Sequence, residues 1–351
     1  MTDPNFTPAT LEAFAGDILR AIGMTETDAA PTARGLVTAN IYGVDSHGVA
    51  RLPQYVESLT AGDVNLTPDV TVETSGLAAT HVDANGGYGY RPSYLAIDSA
   101  MENAAKSGIA IAAVSNSHHF GMASTYTREA AARGFISFAW TNASPKLTPP
   151  GGVQPVVGNN PLSWAIPRSG DSDPIVLDMA LSTVAFGKVR LARQEGRPIP
   201  TGWGLDRNGQ PTTDAEEAFQ SGLLDAVGGY KGYGLSIIAE ILSGVLTGSP
   251  FGKDGAPHRN GAGGVGHLFI VFRPDLFVSR ERFDADVDEL ANQIHGAKMG
   301  REGDRALLPG EIEAGNAARR NVSGVPLSAA LLGSLDELAA SLSVAALSGR
   351  A

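Results

Sequence analysis

Residues 261–272 read GAGGVGHLFIVF, and Gly261, Gly263 and Gly266 fit the spacing G-x-G-x-x-G. That spacing holds a pyrophosphate only when a strand precedes it and a helix follows, so that the phosphates meet a helix N-terminus. Here GKDGAPHRN (252–260) comes before and the strand-like HLFIVF (267–272) comes after. The order is reversed. The stretch therefore reads as a flexible loop entering a strand rather than as a dinucleotide-binding fingerprint.

Working outward, GGYKGYGLSIIAEIL (228–242) places Gly228, Gly229, Gly232 and Gly234 around Lys231, just before a strongly apolar helix predicted over 234–248. Free N–H groups, the positive helix end and a lysine make such a turn an anion site. The alternative is a glycine turn with a solvated lysine. Upstream, strands are predicted at 109–117, 135–144 and 174–180, with helices at 92–107 and 122–134. Shorter β-like runs occupy 69–76 and 80–87. Helical periodicity covers 8–22 and 26–42, with Thr25 or Thr27 as the second helix's N-cap, then a probable helix near 49–62. It returns from residue 283 and ends in a helix at about 327–346. The expected arrangement is a mixed α/β centre inserted between helical N- and C-terminal parts.

Composition bounds the function. The chain has 351 residues, 26 Lys plus Arg against 37 Asp plus Glu, and a net charge of −11. An acidic chain lacks the clustered cations that release counterions from a phosphate backbone, so no nucleic-acid partner is expected. The absence of cysteine removes disulfides, thiol nucleophiles and thiolate-held zinc. The N-terminus carries no basic or apolar leader pattern, and the longest apolar stretch, 235–247, is too short for a bilayer and contains Glu240. A cytoplasmic protein with no membrane partner is expected. Glycine supplies 43 of 351 residues, about 12% against a usual ~7%, as expected of many turns or of backbone brought close to a ligand.

Four segments can carry chemistry. In YGVDSHGVARLPQY (42–55), His47 lies between Ser46 and Gly48, with Arg51 four residues on. Histidine exchanges protons near neutrality, and arginine pairs bidentately with a carboxylate. SNSHHFGMAS (115–124) turns from a strand into a helix at Gly121; its His118 and His119 are adjacent and so point apart, which disfavours a metal site. WTNASPKLTPPGG (140–152) offers Asn142 and Ser144 after the next strand. PIVLDMALST (174–183) ends a third strand in Asp178. Three strand ends bearing polar residues suggest one composite site, since ligands of α/β sheets gather there. No P-loop, HExxH or GxSxG is present.

Taken in order, GVDSHGVARLPQY, SNSHHFGMAS, WTNASPKLTPPGG, VGNNPLSWAIP, IVLDMALSTVAFGK, GYKGYGLS, GHLFIVFRPDLF and LLPGEIE resemble the malate/L-lactate dehydrogenase family of the second type, over about residues 10–325. This family is distinct from the Rossmann-fold lactate and malate dehydrogenases. It includes ureidoglycolate, sulfolactate and diketogulonate oxidoreductases and piperideine-2-carboxylate reductases.

The resemblance implies a non-Rossmann cofactor domain with a mixed, largely antiparallel sheet (76–274), set between helical parts (1–75 with 275–351) that form a substrate and dimerisation domain. It implies NAD or NADP as cofactor, a small carboxylate substrate, no metal, and a homodimer. The activity implied is hydride transfer at C2 of a 2-hydroxy acid/2-oxo acid pair. Reduction of a cyclic imino acid is the alternative, and a metal-assisted hydrolase or lyase and a catalytically silent nucleotide binder stand further off. By the same resemblance His47 is the proton donor/acceptor, relayed with Ser46 and Asp178. Arg51 holds the substrate carboxylate, and His119 lies by both substrate and cofactor. The implied cofactor contacts are Phe120, Gly121, Asn142, Ser144, Met179, Ala180, Thr183, Lys231, Gly232, Pro309, Gly310 and Glu311, together with His119 and Asp178. A carboxylate near His47 is expected to raise its pKa; Asp178 has the resemblance in its favour, Asp45 only its neighbouring place in the chain.

Overall fold

The computed structural model describes residues 3–254, 264–301 and 303–350. Gly261 and Gly263 lie outside them, whereas Gly266 sits inside a strand, as the reversed motif order requires.

The helical half begins with α1 (Pro8–Ala21), whose N-cap Thr7 accepts from the Thr10 amide at 3.1 Å, and α2 (Glu26–Ile41). Thr25 does precede α2, but its hydroxyl bonds the Asp28 carboxylate at 2.7 Å rather than capping the helix. Leu11, Phe14, Ile18 and Leu19 line one stripe of α1 and are buried against α2 and α3 (Leu52–Thr60). The same core contains Val325, Leu327, Leu335, Ala339 and Leu347 from the chain's end. A two-residue pairing of Asn5–Phe6 with Val325–Pro326 ties the two termini together.

The other half is built on a seven-stranded sheet. Its strands are β1 (Thr71–Ser75), β2 (Ala79–Asp83), β3 (Ile109–Ser117), β4 (Ile136–Thr141), β5 (Leu162–Ile166), β6 (Ile175–Met179) and β7 (Val265–Phe272), in the spatial order β1-β2-β3-β7-β4-β5-β6. Only β2 and β3 run parallel; every other pairing is antiparallel. Strand β1 lies within 1–75 yet forms the sheet's edge, so the chain has left the helical half before Thr71.

This topology has a consequence for the site. Strand β7 separates β3 from β4, and β5 separates β4 from β6, each antiparallel to its neighbours. Strands β3, β4 and β6 therefore point the same way, and their C-terminal ends share one edge of the sheet. Helix α4 (Tyr90–Ser107) leads into β3, and α5 (Ser124–Ala132) crosses over β4, β5 and β6.

Beyond β6 a small unit packs α6 (Phe186–Gln194) and α7 (Ala215–Ser221) around Val184, Val189 and Leu224. It contains a three-stranded sheet with Gly204–Leu205 between Pro211–Thr212 and Leu223–Leu224. Helix α8 (Tyr230–Glu240) follows and loosens into a π turn over Ile241–Val245, so the single helix expected at 234–248 is interrupted. Helices α9 (Arg280–His295), α10 (Glu311–Ser323) and α11 (Ala329–Ser341) complete the chain.

Candidate active site

The loop after α2 is moulded by Asn40, which is fully buried. Its Oδ1 accepts from the Val49 amide at 2.8 Å, and its Nδ2 donates to Asp45 at 2.6 Å. A Cβ on Gly48 would lie 2.2–2.4 Å from that amide, so only glycine fits there. From α10, Arg320 donates to both Asp45 oxygens, at 2.7 and 3.0 Å, and to the carbonyl of Asn40. The loop is thereby locked with His47 and Arg51 projecting from it.

Ser46 Oγ lies 2.9 Å from Nδ1 of His47. Arg51 donates through Nε to the Ser46 carbonyl at 2.8 Å and through Nη1 to Gln54 at 3.0 Å, while its Nη2 bonds no described residue. Burial, with the charge of Arg51 beside it, pushes the His47 imidazole down to about 4. This reverses the expected upward shift. Among the described residues no carboxylate hydrogen-bonds His47. Asp45 is taken by Arg320 and Asn40, and Asp178 accepts from the Ser124 amide at 2.7 Å, where the N-terminus of α5 attracts its charge. Of the two partners expected for His47, Ser46 lies within hydrogen-bonding distance, whereas Asp178 is engaged by the start of α5.

The turn after β3 brings His119 onto His47, with ring centroids 5.5 Å apart and planes at 27°. Burial, then Arg51, then His47 itself, hold His119 well below the ordinary histidine range. Its Nδ1 lies 2.5 Å from the hydroxyl of Tyr55. Tyr55 was missed by sequence reasoning. The signal was its position four residues after Arg51, which places both on one side of a helical segment. His118 turns the other way and meets the ring edge of Tyr88.

Asp178 is crowded by protein, and burial pushes its carboxyl up against the pull of the Ser124 hydrogen bonds and of Arg128. The residue nonetheless keeps an exposed face. Following it, Leu181 exchanges backbone hydrogen bonds with Asn159 and Val227 (2.7 and 3.0 Å), and Thr183 N–H donates to Asp225 at 2.9 Å. The segment Asp178, Met179, Ala180 is thus joined to the glycine turn before α8. Gly232 lies so close to Val227 that a Cβ would be 2.1 Å from its carbonyl oxygen. Gly228 and Gly229 adopt φ of 62° and 64° with open space over both, and Lys231 forms no ion pair with a described residue. An open turn with a free cation at the start of an eleven-residue helix fits a phosphate-bearing cofactor.

Other expected contacts are placed differently. Phe120 is buried, its ring stacked on His267 at 4.3 Å. Asn142 accepts from Gly266 N–H at 2.8 Å and donates to Pro250 at 2.9 Å. Both side chains are committed to the interior, and so are backbone groups of both: the Phe120 carbonyl accepts from Tyr126, and the Asn142 amide donates to the Gly266 carbonyl. Ser144, next to Ala143, is partly exposed with its hydroxyl unbonded to any described residue; Asn160 and the buried Glu240 behind it hold the Ala143 amide in place. The Pro309 carbonyl accepts from Val176 at 2.9 Å, and Gly310, with φ of 92°, lies where a Cβ would strike that residue's backbone. This loop therefore runs beside β6 two residues before Asp178. Glu311 bonds His295 at 2.6 Å and the Leu308 amide at 3.1 Å. A surface concavity of about 630 Å³ opens beside Glu311 and Arg305, and neither His47 nor His119 lines it. No three acidic or histidine side chains gather into a metal-binding group among the described residues.

Two imidazoles facing each other beside a half-free guanidinium, at the edge where three strands end, form the kind of site that moves a proton to or from a bound carboxylic acid. An acid/base site of this kind on a non-Rossmann sheet is compatible with an oxidoreductase. The family profile described as malate/L-lactate dehydrogenase matches residues 6–336. A malate dehydrogenase of Pyrococcus abyssi is 35% identical over 336 residues, 94% of this chain and 92% of its own. A (2R)-3-sulfolactate dehydrogenase (NADP(+)) of Chromohalobacter salexigens is 38% identical over 269 residues, covering 76% and 80% of the two chains. The crystal structure of the delta1-piperideine-2-carboxylate reductase of Pseudomonas syringae superposes with a TM-score of 0.86 at 32% identity, over 95% of this chain and 99% of that one. The chain belongs to the malate/L-lactate dehydrogenase family, and it is a dehydrogenase/reductase acting on CH–OH or C=N groups.

Proposed function

We propose that the protein is an NAD(P)-dependent oxidoreductase of a 2-hydroxy acid/2-oxo acid pair in which His47 exchanges the proton of the C2 oxygen. One observation carries this reading. A single locked loop presents an imidazole oriented by Ser46 at 2.9 Å and, beside it, a guanidinium with an unbonded Nη2. Arg51 then takes the C1 carboxylate and fixes C2 over the cleft; such orientation removes much of the barrier. A bound nicotinamide supplies or accepts the hydride. In oxidation His47, held neutral, accepts the hydroxyl proton through its free nitrogen. In reduction it returns that proton as negative charge builds on the oxygen. His119 lines the opposite side.

The turn at Gly228 and Gly229, with Lys231, is proposed to hold the cofactor phosphates, and Thr183 and the Pro309–Glu311 loop flank the same groove. For a 2′-phosphate, Arg193 is already paired with Glu216 and stacked on Phe219. Lys188 and Arg190, exposed on α6, remain available. The division into a helical unit (1–75 with 275–351) and a sheet unit (76–274), cytoplasmic operation and a homodimer belong to the same proposal. The exposed Leu235, Ile238, Ile241, Val245 and Leu246 along α8 and its π turn support a covering by a second copy.

The test is NADH and NADPH oxidation with pyruvate, oxaloacetate, sulfopyruvate, 2,3-diketogulonate and Δ1-piperideine-2-carboxylate, and ureidoglycolate in the reverse direction. Turnover of an open-chain 2-oxo acid is the expected result. Turnover of the cyclic imine alone would select the second reading, which the likeness to the Pseudomonas syringae reductase supports.

A further inference from the structure

We infer that Tyr55 and Tyr90 form a hydrogen-bond relay, Tyr90 to Tyr55 to His119, that fixes His119 as its Nε2–H tautomer and so gives the cleft a permanent donor opposite His47. Neither tyrosine is assigned above to substrate or cofactor. The inference rests on the reading of this cleft as the reaction site.

The direction of the relay follows from counting protons. The Gly121 backbone N–H, which can only donate, points at Nδ1 of His119 at 3.3 Å. Nδ1 must therefore carry a lone pair, and the ring proton resides on Nε2. The Tyr55 hydroxyl, 2.5 Å from the same nitrogen, then donates to that lone pair as its main partner, and the longer Gly121 contact shares it. Having spent its only proton, Tyr55 accepts at its oxygen from Tyr90, 3.0 Å away. Tyr90 is fully buried and has no other hydrogen-bond partner among the described residues, so this is where its proton goes.

The surroundings hold the relay in one geometry. The Tyr55 ring is stacked on Tyr88 at 4.1 Å. A Cβ on Gly35 would lie 2.4 Å from the Tyr90 ring, and one on Gly121 would lie 2.6 Å from it. Two glycines from different parts of the chain thus clear the slot in which Tyr90 sits, between the helical core and the turn that carries His119. With Nδ1 occupied, His119 cannot offer a lone pair to the cleft, only its Nε2–H. The C2 oxygen of a bound substrate is then met by a fixed donor on one side and by the exchanging His47 on the other. Tyr55 and Tyr90 are positioning residues, since they act through His119.

The test joins a spectroscopic and a kinetic measurement on the full chain. In wild-type protein with 15N-labelled histidine, the His119 side chain, assigned by its loss in His119→Gln, should show a protonated Nε2 and a bare Nδ1. A protonated Nδ1 would overturn the relay whether or not any substrate is turned over, which separates this inference from the reading it rests on. In Tyr55→Phe, kcat should fall about 10- to 100-fold with KM and nucleotide affinity within about twofold. Tyr90→Phe should produce a smaller fall, and Tyr55→Phe added to His119→Gln should cost nothing more. Unchanged kcat in Tyr55→Phe, or independent and multiplicative losses in the double variant, would contradict it. Should Tyr55→Phe not fold, Tyr90→Phe and the nitrogen spectrum decide the matter alone.

Discussion

The rings of His47 and His119 lie 5.5 Å apart at an interplanar angle of 27°, one from the loop after α2 and the other from the turn after β3. At that separation a proton on one ring opposes a proton on the other, and His47 accordingly depresses His119 further. A positive charge on one ring therefore disfavours a positive charge on the other. Burial and the charge of Arg51 hold His119 well below the ordinary histidine range, and in the proposed reaction His47 is the ring that gains and loses the proton. Each ring has its own hydroxyl partner, Ser46 for His47 and Tyr55 for His119.

Arg51 is expected to act on binding more than on chemistry. Its Nε and Nη1 are spent on the Ser46 carbonyl and Gln54, so in the proposed reaction the remaining face is the one left to meet a carboxylate. Arg51→Ala should raise KM for the acid about 10- to 100-fold, in line with about 1.5–3 kcal/mol for a hydrogen bond to a charged group, with a smaller change in kcat. Arg51→Lys should not restore it. An unchanged KM for the carboxylate substrate would remove Arg51 from the site.

The pH dependence has a definite sign. His47 is pushed down to about 4 and His267, buried between Ser117 and Thr141, to about 3, both by burial first; His119 moves the same way. For each, the folded value lies below the unfolded one, so unfolding takes up protons at pH values between the two. Stability is fully present above about 6.5, the ordinary histidine value, and should be lost as the pH falls from there towards 4. Thermal unfolding across that range checks the sign; a midpoint that rises on acidification would contradict it. For oxidation, kcat/KM should be level from neutrality down to about pH 5.5 and then fall as free His47 protonates.

The slot for Tyr90 makes an opposed pair of predictions. Gly35 is inside α2, where alanine ordinarily favours a helix by about 1 kcal/mol. Its Cβ would nonetheless meet the Tyr90 ring at 2.4 Å, and overfilling such a site costs about 1–3 kcal/mol. Gly35→Ala should therefore lower stability in denaturant titration. Gly315→Ala in α10, where a Cβ meets nothing within 4 Å, should raise it by about 0.5–1 kcal/mol. Equal effects at the two positions would refute the packing argument.

Much of this organisation is legible in the residues themselves. The strand HLFIVF after the glycine triplet excludes the Rossmann order, and β3, β4 and β6 stand close to the predicted 109–117, 135–144 and 174–180. That their ends share an edge follows from β7 and β5 lying between them, which no local pattern reveals. Strand β5 itself, LSWAI, is hidden because Pro161 and Pro167 bracket only five residues, and α6 and α7 are too short for clear periodicity. In the site, His47 and Arg51 stand out by type and spacing. The length-independent contacts do not: Arg320 on Asp45, Ser124 on Asp178 and Tyr55 on His119 all join distant parts of the chain. Those contacts engage both candidate carboxylates away from His47 and set a tyrosine against His119.

The central claim is that His47 transfers the C2 proton, and its direct measurement is single-turnover reduction of a 2-oxo acid by the wild type and His47→Ala, with nucleotide affinity measured alongside. The account predicts that the variant binds NADH or NADPH within about twofold of the wild type while its reduction rate falls at least about 100-fold, the lower range for loss of a general acid. A variant that reduces the acid at the wild-type rate would contradict it and return His47 to a structural role.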